Sequence, residues 1–379
     1  MVLRFSASTI KGLEDISAEE IRSITGGSNV EIGDGRIFFE GDLKDIYRVN
    51  LRARTISRLY LVLHMGNASS LSEIYKEALT PEYQEVLGFD FTFAVRGVRM
   101  GDHEFTSMDV ASAVGKAVQD YYLSNFGFKP RVNLDWPDVE IYAFLIGNDL
   151  WIGVNTTGES LHRRNYRIYQ HPASLKTIIA AALLKYSGWG FQEVLVDPMC
   201  GGGTIPIEAA RMARNMPPCL PRTYYPFMKL KLYDEKEYRE ELEATYKEFT
   251  DGEFHIYGVD ISKEHVQGAV FNSYEAGVSD SVKFIVGDST RLYKYVSLVP
   301  EFVVVNPPYG IRSSRPKVIG RLYSELLRVL YEMGCSTFVS ITAVGKTMEE
   351  AILNAGFKLV DKRVVYHGSL RGWVFKAER

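Results

Sequence analysis

The sequence is poor in the residues that mark several common protein classes. Its three cysteines, Cys200, Cys219 and Cys335, lie far apart and form no CxxC pair, which argues against a disulfide framework and a cysteine-rich zinc site. The seven histidines show no HxxxH spacing, so no metal site is expected. No apolar run reaches the roughly 18 residues of a membrane span. The opening Met1-Val2-Leu3-Arg4-Phe5-Ser6 alternates like a strand and lacks a signal-peptide core, so the expected location is the cytoplasm. Glutamine is sparse, a trait of thermophilic proteins. A basic excess is missing too. With 44 Lys and Arg against 47 Asp and Glu, the net charge is −3, and any nucleic-acid binding must rest on local patches.

What is present suits a globular chain of 379 residues, long enough for two or three domains, with 46% apolar and 24% charged residues. No repeats or low-complexity tracts interrupt it. Residues 1–52 read as a small α+β unit, with Ser17 capping a helix that holds Ile21 and Ile24, and a strand at Arg36 to Glu40. Residues 53–155 read as a second α+β module. Phe89, Phe91, Phe93 and Val95 alternate as a strand. Ser107 stands at an N-cap, ahead of Val110, Ala113, Val114, Ala117, Val118 and Tyr121 at helical spacing, and Val139, Ile141, Ala143 and Leu145 alternate again. Residues 156–172 are polar, with His162, Arg163, Arg164 and Arg167 beside Tyr166, and read as an interdomain linker.

From 173 to 379 the pattern becomes strands alternating with helices. Short continuous apolar runs at 194–196, 256–259, 284–286, 302–305 and 338–341 predict a parallel sheet covered on both faces. Residues 357–363 and 372–376 read as a closing strand pair. The C-terminal half is therefore expected to be a doubly wound, Rossmann-like α/β domain.

Four motifs sit where such a sheet binds ligands, at the carboxyl ends of its strands. The first, Asp197-Pro198-Met199-Cys200-Gly201-Gly202-Gly203-Thr204, follows one strand and precedes a helix at Ile205 to Arg214. Its glycine run lets backbone approach a ligand, and it is not the GxGxxG of a dinucleotide site. The second is Asp260, placed to accept both ribose hydroxyls of an adenosine. Its distance from the glycine loop far exceeds the usual ~20 residues. The excess, Pro217 to Lys231 and a charged helix from Asp234 to about Phe249, reads as an insertion. The third is Asp288, an acceptor for an adenine amino group.

The fourth motif, Asn306-Pro307-Pro308-Tyr309-Gly310, ends the strand 302–305. The prolines stop the ladder and expose carbonyls without competing amide donors. An exocyclic amine on a base is a poor nucleophile, because its lone pair conjugates with the ring. The Asn306 side-chain oxygen and the Pro307 carbonyl can hold its two hydrogens, aim the lone pair and stabilise the developing positive charge. Tyr309 can stack on the extruded base.

With these motifs in this order, the C-terminal half resembles the Rossmann-fold methyltransferases that modify amino groups of bases. The N-terminal half resembles a ferredoxin-like domain followed by the THUMP domain of RNA-modifying enzymes, on the helix from Ser107 and the run Gly158 to Arg167. Together the chain is similar to the tRNA (guanine-N2) methyltransferases that act on guanosine at about position six of the acceptor stem. Relatives acting on position ten often carry Asp where this chain has Asn306, and a guanine-N2 family for large-subunit rRNA shares the parts. The resemblance implies S-adenosylmethionine bound by Asp197, Met199, Cys200, Gly201, Gly203, Thr204, Asp260, Ile261, Asp288, Ser289 and Asn306. It implies catalysis by Asn306, Pro307 and Tyr309. It also implies a monomer that binds tRNA by its acceptor stem and 3′ end, with no metal and no membrane. Candidate RNA contacts are His162, Arg163, Arg164 and Arg167, with Arg312, Arg315 and Lys317 after the catalytic loop. The rival expectations are an N6-adenine DNA methyltransferase and a catalytically silent RNA-binding protein.

Overall fold

A computed structural model describes residues 2–27, 29–219, 222–310, 316–367 and 370–379. The N-terminal half forms one mixed sheet from β1 (Leu3–Ser8), β2 (Val30–Gly33), β3 (Arg36–Gly41), β4 (Arg58–Asn67), β5 (Phe93–Met100), β6 (Val139–Ile146) and β7 (Asp149–Asn155). Their spatial order is β2-β3-β1-β4-β7-β6-β5. Strand β4 pairs antiparallel with both β1 and β7, so the first two α+β units share one unbroken sheet. Helices α1 (Glu14–Thr25), α2 (Leu43–Arg52), α3 (Leu71–Glu77) and α4 (Ser107–Phe126) supply residues to the core on one face. That face collects every second strand residue, among them Phe5, Phe39, Leu59, Leu61, Ile141 and Ile152, against Ile21, Tyr47, Val114 and Val118.

Local chemistry shifts some expected boundaries. The α4 cap is Thr106, whose capping box with Asp109 satisfies both ends of the motif, and Ser107 is the first helical residue. Helix α1 begins three residues before Ser17, which is fully buried with its hydroxyl 2.6 Å from Thr9 Oγ1. Phe89 and Phe91 precede β5 rather than belonging to it.

The C-terminal sheet follows α5 (Thr177–Ser187). Its strands are β8 (Leu195–Asp197), β9 (Ile256–Asp260), β10 (Lys283–Val286), β11 (Phe302–Val305), β12 (Thr337–Thr342), β13 (Lys358–His367) and β14 (Leu370–Glu378), in the order β10-β9-β8-β11-β12-β14-β13. The first five are parallel, and β14 runs antiparallel to its neighbours. Continuous apolar strands fit because both faces are covered: α5 and α6 (Thr204–Ala213) lie over one, α9 (Pro316–Glu332) and α10 (Gly345–Ala355) over the other. From β8 the chain winds outward to β9 and β10, then returns to β11 on β8's other side. The switch between β8 and β11 opens a crevice at the carboxyl edge.

The insertion is a strap. Tyr225, Phe227, Leu230 and Tyr238 leave the C-terminal domain and are buried in the core of the N-terminal sheet, where Tyr47 packs 5.2 Å from Phe227 and 5.7 Å from Tyr238. Helix α7 (Glu235–Lys247) lies along α2, with Arg48 bonded to Glu241 at 2.8 Å and Arg52 to Glu248 at 2.7 Å. A second junction lies at β13, an edge strand of the C-terminal sheet. There Tyr366 N donates to Lys11 O at 3.1 Å and Arg363 pairs with Asp15 at 2.6 Å. Gly12, at φ +96°, admits this approach, since a Cβ there would strike the Val364 carbonyl. Among the described residues no helix is long and apolar enough to cross a membrane.

Candidate active site

The glycine loop leaves β8 and the proline loop leaves β11, its neighbour in the sheet. In the glycine loop, Cys200 N donates to Val259 O at 2.9 Å and Gly203 N to Cys200 O at 2.8 Å, which folds the segment into a tight turn ahead of α6. Gly203 has φ +82°, and a Cβ there would lie 2.9 Å from both Ala269 Cβ and the Phe284 ring. Thr204 is buried and opens the helix, while Met199 is half-buried and packs against the core under α9.

Asp260 organises this side of the crevice. Its Oδ2 accepts from Gly201 N and its Oδ1 from Ser262 N, both at 2.9 Å. The carboxylate thus ties the glycine loop to the start of helix α8 (Lys263–Glu275). Gly287 N donates to the Asp260 carbonyl at 2.9 Å, which brings in the end of β10. Asp288 uses Oδ1 to hold Thr290 N and Oγ1, at 2.9 and 2.7 Å, and Ser289 is buried behind it. Ile261 is 77% exposed, an apolar side chain displayed on a polar rim. Asp197 is 2% exposed and accepts from Met199 N at 3.1 Å. Burial, with a further contribution from Asp260, pushes its carboxyl well above the ordinary carboxylate range.

The expected linker supplies residues that the motifs do not reveal. Tyr169 and Asn272 exchange hydrogen bonds through backbone and amide, and Asn272 Nδ2 also donates to Gly202 O at 3.0 Å. The His171 ring lies over Gly201 and meets His265 edge-on at 4.3 Å. Burial, then His265, lowers the His171 pKa, so the ring is neutral beside the glycine loop. The available signal was the pair of rings, Tyr169 and His171, just ahead of α5.

At the proline loop, Pro307 is buried, Asn306 is half-buried and Pro308 is exposed. Tyr309 Oη donates to Asn306 Oδ1 at 2.6 Å. The loop's ring and its acceptor are therefore paired with each other, and burial pushes the Tyr309 phenol above its usual range.

The expected RNA contacts separate. Arg164 is not on the surface: its side chain and that of Glu208 are both 0% exposed, and the two pair at 3.4 Å. It also donates to the carbonyls of Leu161 and Arg54. Burial opposes its charge, but Glu208 outweighs it and keeps the guanidinium protonated. His162 is half-buried, 2.6 Å from Ser160 Oγ, and burial with the surrounding cations lowers its pKa to about 4. A neutral imidazole brings no charge to a phosphate. Arg164 instead fastens the domain junction, joining the Arg54 carbonyl to Glu208. Arg163 is exposed and pairs with Glu159 at 2.7 Å, and Arg167 is half-exposed. Arg312 and Arg315 lie outside the described residues, as does the Lys317 side chain.

Comparison with known proteins agrees with this architecture. Residues 164–372 match the RMKL-like methyltransferase domain, 4–60 the RlmL ferredoxin-like domain and 68–155 the THUMP domain. The tRNA (guanine(6)-N2)-methyltransferase of Methanocaldococcus jannaschii is 38% identical over 96% of this chain and 97% of its own. The protein of the same name from Archaeoglobus fulgidus is 36% identical, covering 98% of this chain and 91% of its own. Among solved structures, TrmN from Thermus thermophilus shares the fold, with a TM-score of 0.74 and 23% identity over 100% of this chain and 99% of that one. The chain belongs to the family of THUMP-bearing, RMKL-like methyltransferases and is an enzyme that uses S-adenosylmethionine.

Proposed function

We propose that the enzyme methylates N2 of a guanosine in tRNA, at position six of the acceptor stem. The observation that carries this reading is Asn306 Oδ1, a half-buried acceptor at the carboxyl end of β11, next to the strand that leads into the glycine loop. The family supplies a methyltransferase, and two relatives matched over nearly their full length are named for guanine(6)-N2 of tRNA.

The residues of the pocket fit S-adenosylmethionine. Asp260 is held by two backbone donors with a lone pair left on each oxygen, which suits two ribose hydroxyls. Ile261 offers an apolar surface to an adenine ring, and Asp288 keeps Oδ2 for its amino group. Asp197, buried and destabilised as an anion, favours a cationic amine or sulfonium beside it. When bound, the cofactor supplies an electrophilic methyl group.

Asn306 and the Pro307 carbonyl act on the other reactant. They accept the two hydrogens of the exocyclic amine, aim its lone pair across the crevice and stabilise the charge that grows there. The excess proton leaves to water. A stem guanosine must first leave its stack, at a cost of a few kcal/mol met by RNA contacts elsewhere. Entry of the base displaces the Tyr309 hydroxyl from Asn306, after which the tyrosine ring is free to stack on the base. Grip by the N-terminal module on the unpaired 3′ end sets which nucleotide reaches the loop, and the strap and the Gly12 junction support a fixed distance.

The test is incubation with labelled S-adenosylmethionine and unmodified tRNA, followed by nucleoside mass spectrometry. N2-methylguanosine is expected, lost when the guanosine at position six is replaced. N6-methyladenosine, or N2-methylguanosine that survives this replacement, would overturn the assignment.

A further inference from the structure

Two prolines remove the donors by which a loop of five residues would normally be fixed, yet the catalytic loop must hold Pro307 and Asn306 to within a fraction of an ångström. Its torsions show where control comes from. The rings fix φ of Pro307 and Pro308, and the residue before a proline is confined to extended ψ, which restrains both Asn306 and Pro307. The soft torsion left is ψ of Pro308, which aims the Pro308 carbonyl and sets where Tyr309 begins.

That carbonyl has a partner on helix α9. Tyr323 Oη donates to Pro308 O at 2.9 Å and lies 3.1 Å from Thr342 Oγ1 at the end of β12. Val344 N donates to Thr342 Oγ1 at 3.2 Å. These bonds have one consistent direction: Val344 N–H to Thr342, Thr342 O–H to Tyr323, and Tyr323 O–H to Pro308 O. Each hydroxyl donates once and accepts once, so none of the three contacts competes with another. The chain spans the carboxyl ends of β11 and β12, adjacent parallel strands. Tyr323 is 0% exposed and belongs to the buried stripe of α9, with Ile319, Leu326, Leu327 and Leu330. Among those five it alone carries a polar group. Burial also pushes its phenol up to about 12, so the hydroxyl keeps its proton through the physiological range.

We propose that Tyr323, supplied by Thr342, is the positioning residue of the catalytic loop: it consumes the Pro308 carbonyl, fixes ψ of Pro308 and so leaves the Pro307 carbonyl and Asn306 aimed at the amine. The inference rests on the catalytic reading of the Asn306 loop given above. Tyr323 touches neither reactant, and its effect is felt through geometry.

The experiment compares Tyr323→Phe, Thr342→Val and Thr342→Ser with the wild type in single-turnover methylation at saturating tRNA and cofactor. Tyr323→Phe is expected to slow the bound complex by about 10- to 100-fold, the range for a catalytic group displaced by about an ångström. Thr342→Val, which touches no loop atom, should lose less, and Thr342→Ser should restore the wild-type rate. Cofactor affinity by calorimetry should stay constant across the series, since Asp260 and the glycine loop are untouched. Hydrogen exchange of the cofactor-bound protein supplies a readout that needs no turnover. The Tyr309 and Gly310 amides should exchange faster in Tyr323→Phe, and in Thr342→Val if the phenylalanine variant does not fold. An unchanged rate with unchanged exchange in the folded variant overturns the proposal, as does a loss confined to cofactor binding. If wild type methylates no tRNA, the functional reading fails first, and the exchange result still decides whether Tyr323 holds the loop.

Discussion

The glycine loop and the proline loop leave neighbouring strands of one sheet and are made rigid by opposite means. Between Asp197 and Thr204 the backbone is rich in N–H donors and needs torsions that side chains forbid. Its shape comes from main-chain hydrogen bonds to Val259, Cys200 and Asp260 and from Gly203 at φ +82°. Between Asn306 and Gly310 donors are scarce and torsions are already restricted, so the remaining freedom is removed by buried side chains, Tyr323 and Thr342. On the proposed function the difference follows from the ligand. A loop that surrounds a cofactor offers donors and space. A loop that grips an amine must offer acceptors, and proline exposes carbonyls without adding a rival N–H.

This contrast predicts a division of effects. The largest is expected at Asn306, whose acceptor matters most as charge develops. Asn306→Ala should lower the rate of the bound complex by about 10²–10³-fold or more, the cost of deleting one preorganised partner of a developing charge. Cofactor and tRNA affinities, measured by calorimetry and filter binding, should remain near wild type. A loss confined to binding would mean that the proline loop is a docking element and the contrast is false.

Next comes Asp260→Ala, which removes both backbone anchors and the ribose acceptor. Cofactor affinity should fall by about 10- to 100-fold, roughly one to two lost charge-assisted hydrogen bonds. At saturating cofactor the turnover should recover most of its value. Unchanged affinity in the calorimeter would remove Asp260 from the ribose site.

The smallest effect sharpens the comparison at a single atom. Tyr309→Phe removes the hydroxyl that occupies Asn306 Oδ1 at 2.6 Å and keeps the stacking ring. Its kcat/KM should stay within about tenfold of wild type, whereas Tyr309→Ala should lose about 1–3 kcal/mol of base stacking. A phenylalanine variant as impaired as Asn306→Ala would place the hydroxyl in the chemistry itself.

Local signals carried far into the C-terminal domain. The runs at 194–196, 256–259, 284–286 and 302–305 correspond to β8, β9, β10 and β11, and the four motifs stand at the carboxyl ends of these strands. Continuous apolar strands, terminal acids and Pro-Pro are properties of adjacent residues, so they survive being read in isolation. Elsewhere the same reading misplaced chemistry. A cluster of His162, Arg163, Arg164 and Arg167 reads as one basic patch, but Arg164 turns inward to Glu208, which is 44 residues away, and nothing near Arg164 announces that partner. Pro217 to Lys231 reads as an insertion into the nucleotide-binding pattern, yet its aromatic residues complete the core of the other half.

The sequence by itself determined the class of chemistry. Glycine and proline restrict backbone torsions wherever they stand, and the acids and the asparagine at strand ends have their roles set by sheet topology. Tertiary structure alone decided which charges are buried, which aromatic residues bind two domains into one body, and which hydroxyl reaches Pro308. Those facts depend on contacts between residues distant in the chain, such as Arg48 with Glu241 or Tyr323 with Thr342. The free energy of burying a group is fixed by whatever packs against it, and that neighbour is chosen only when the whole chain folds.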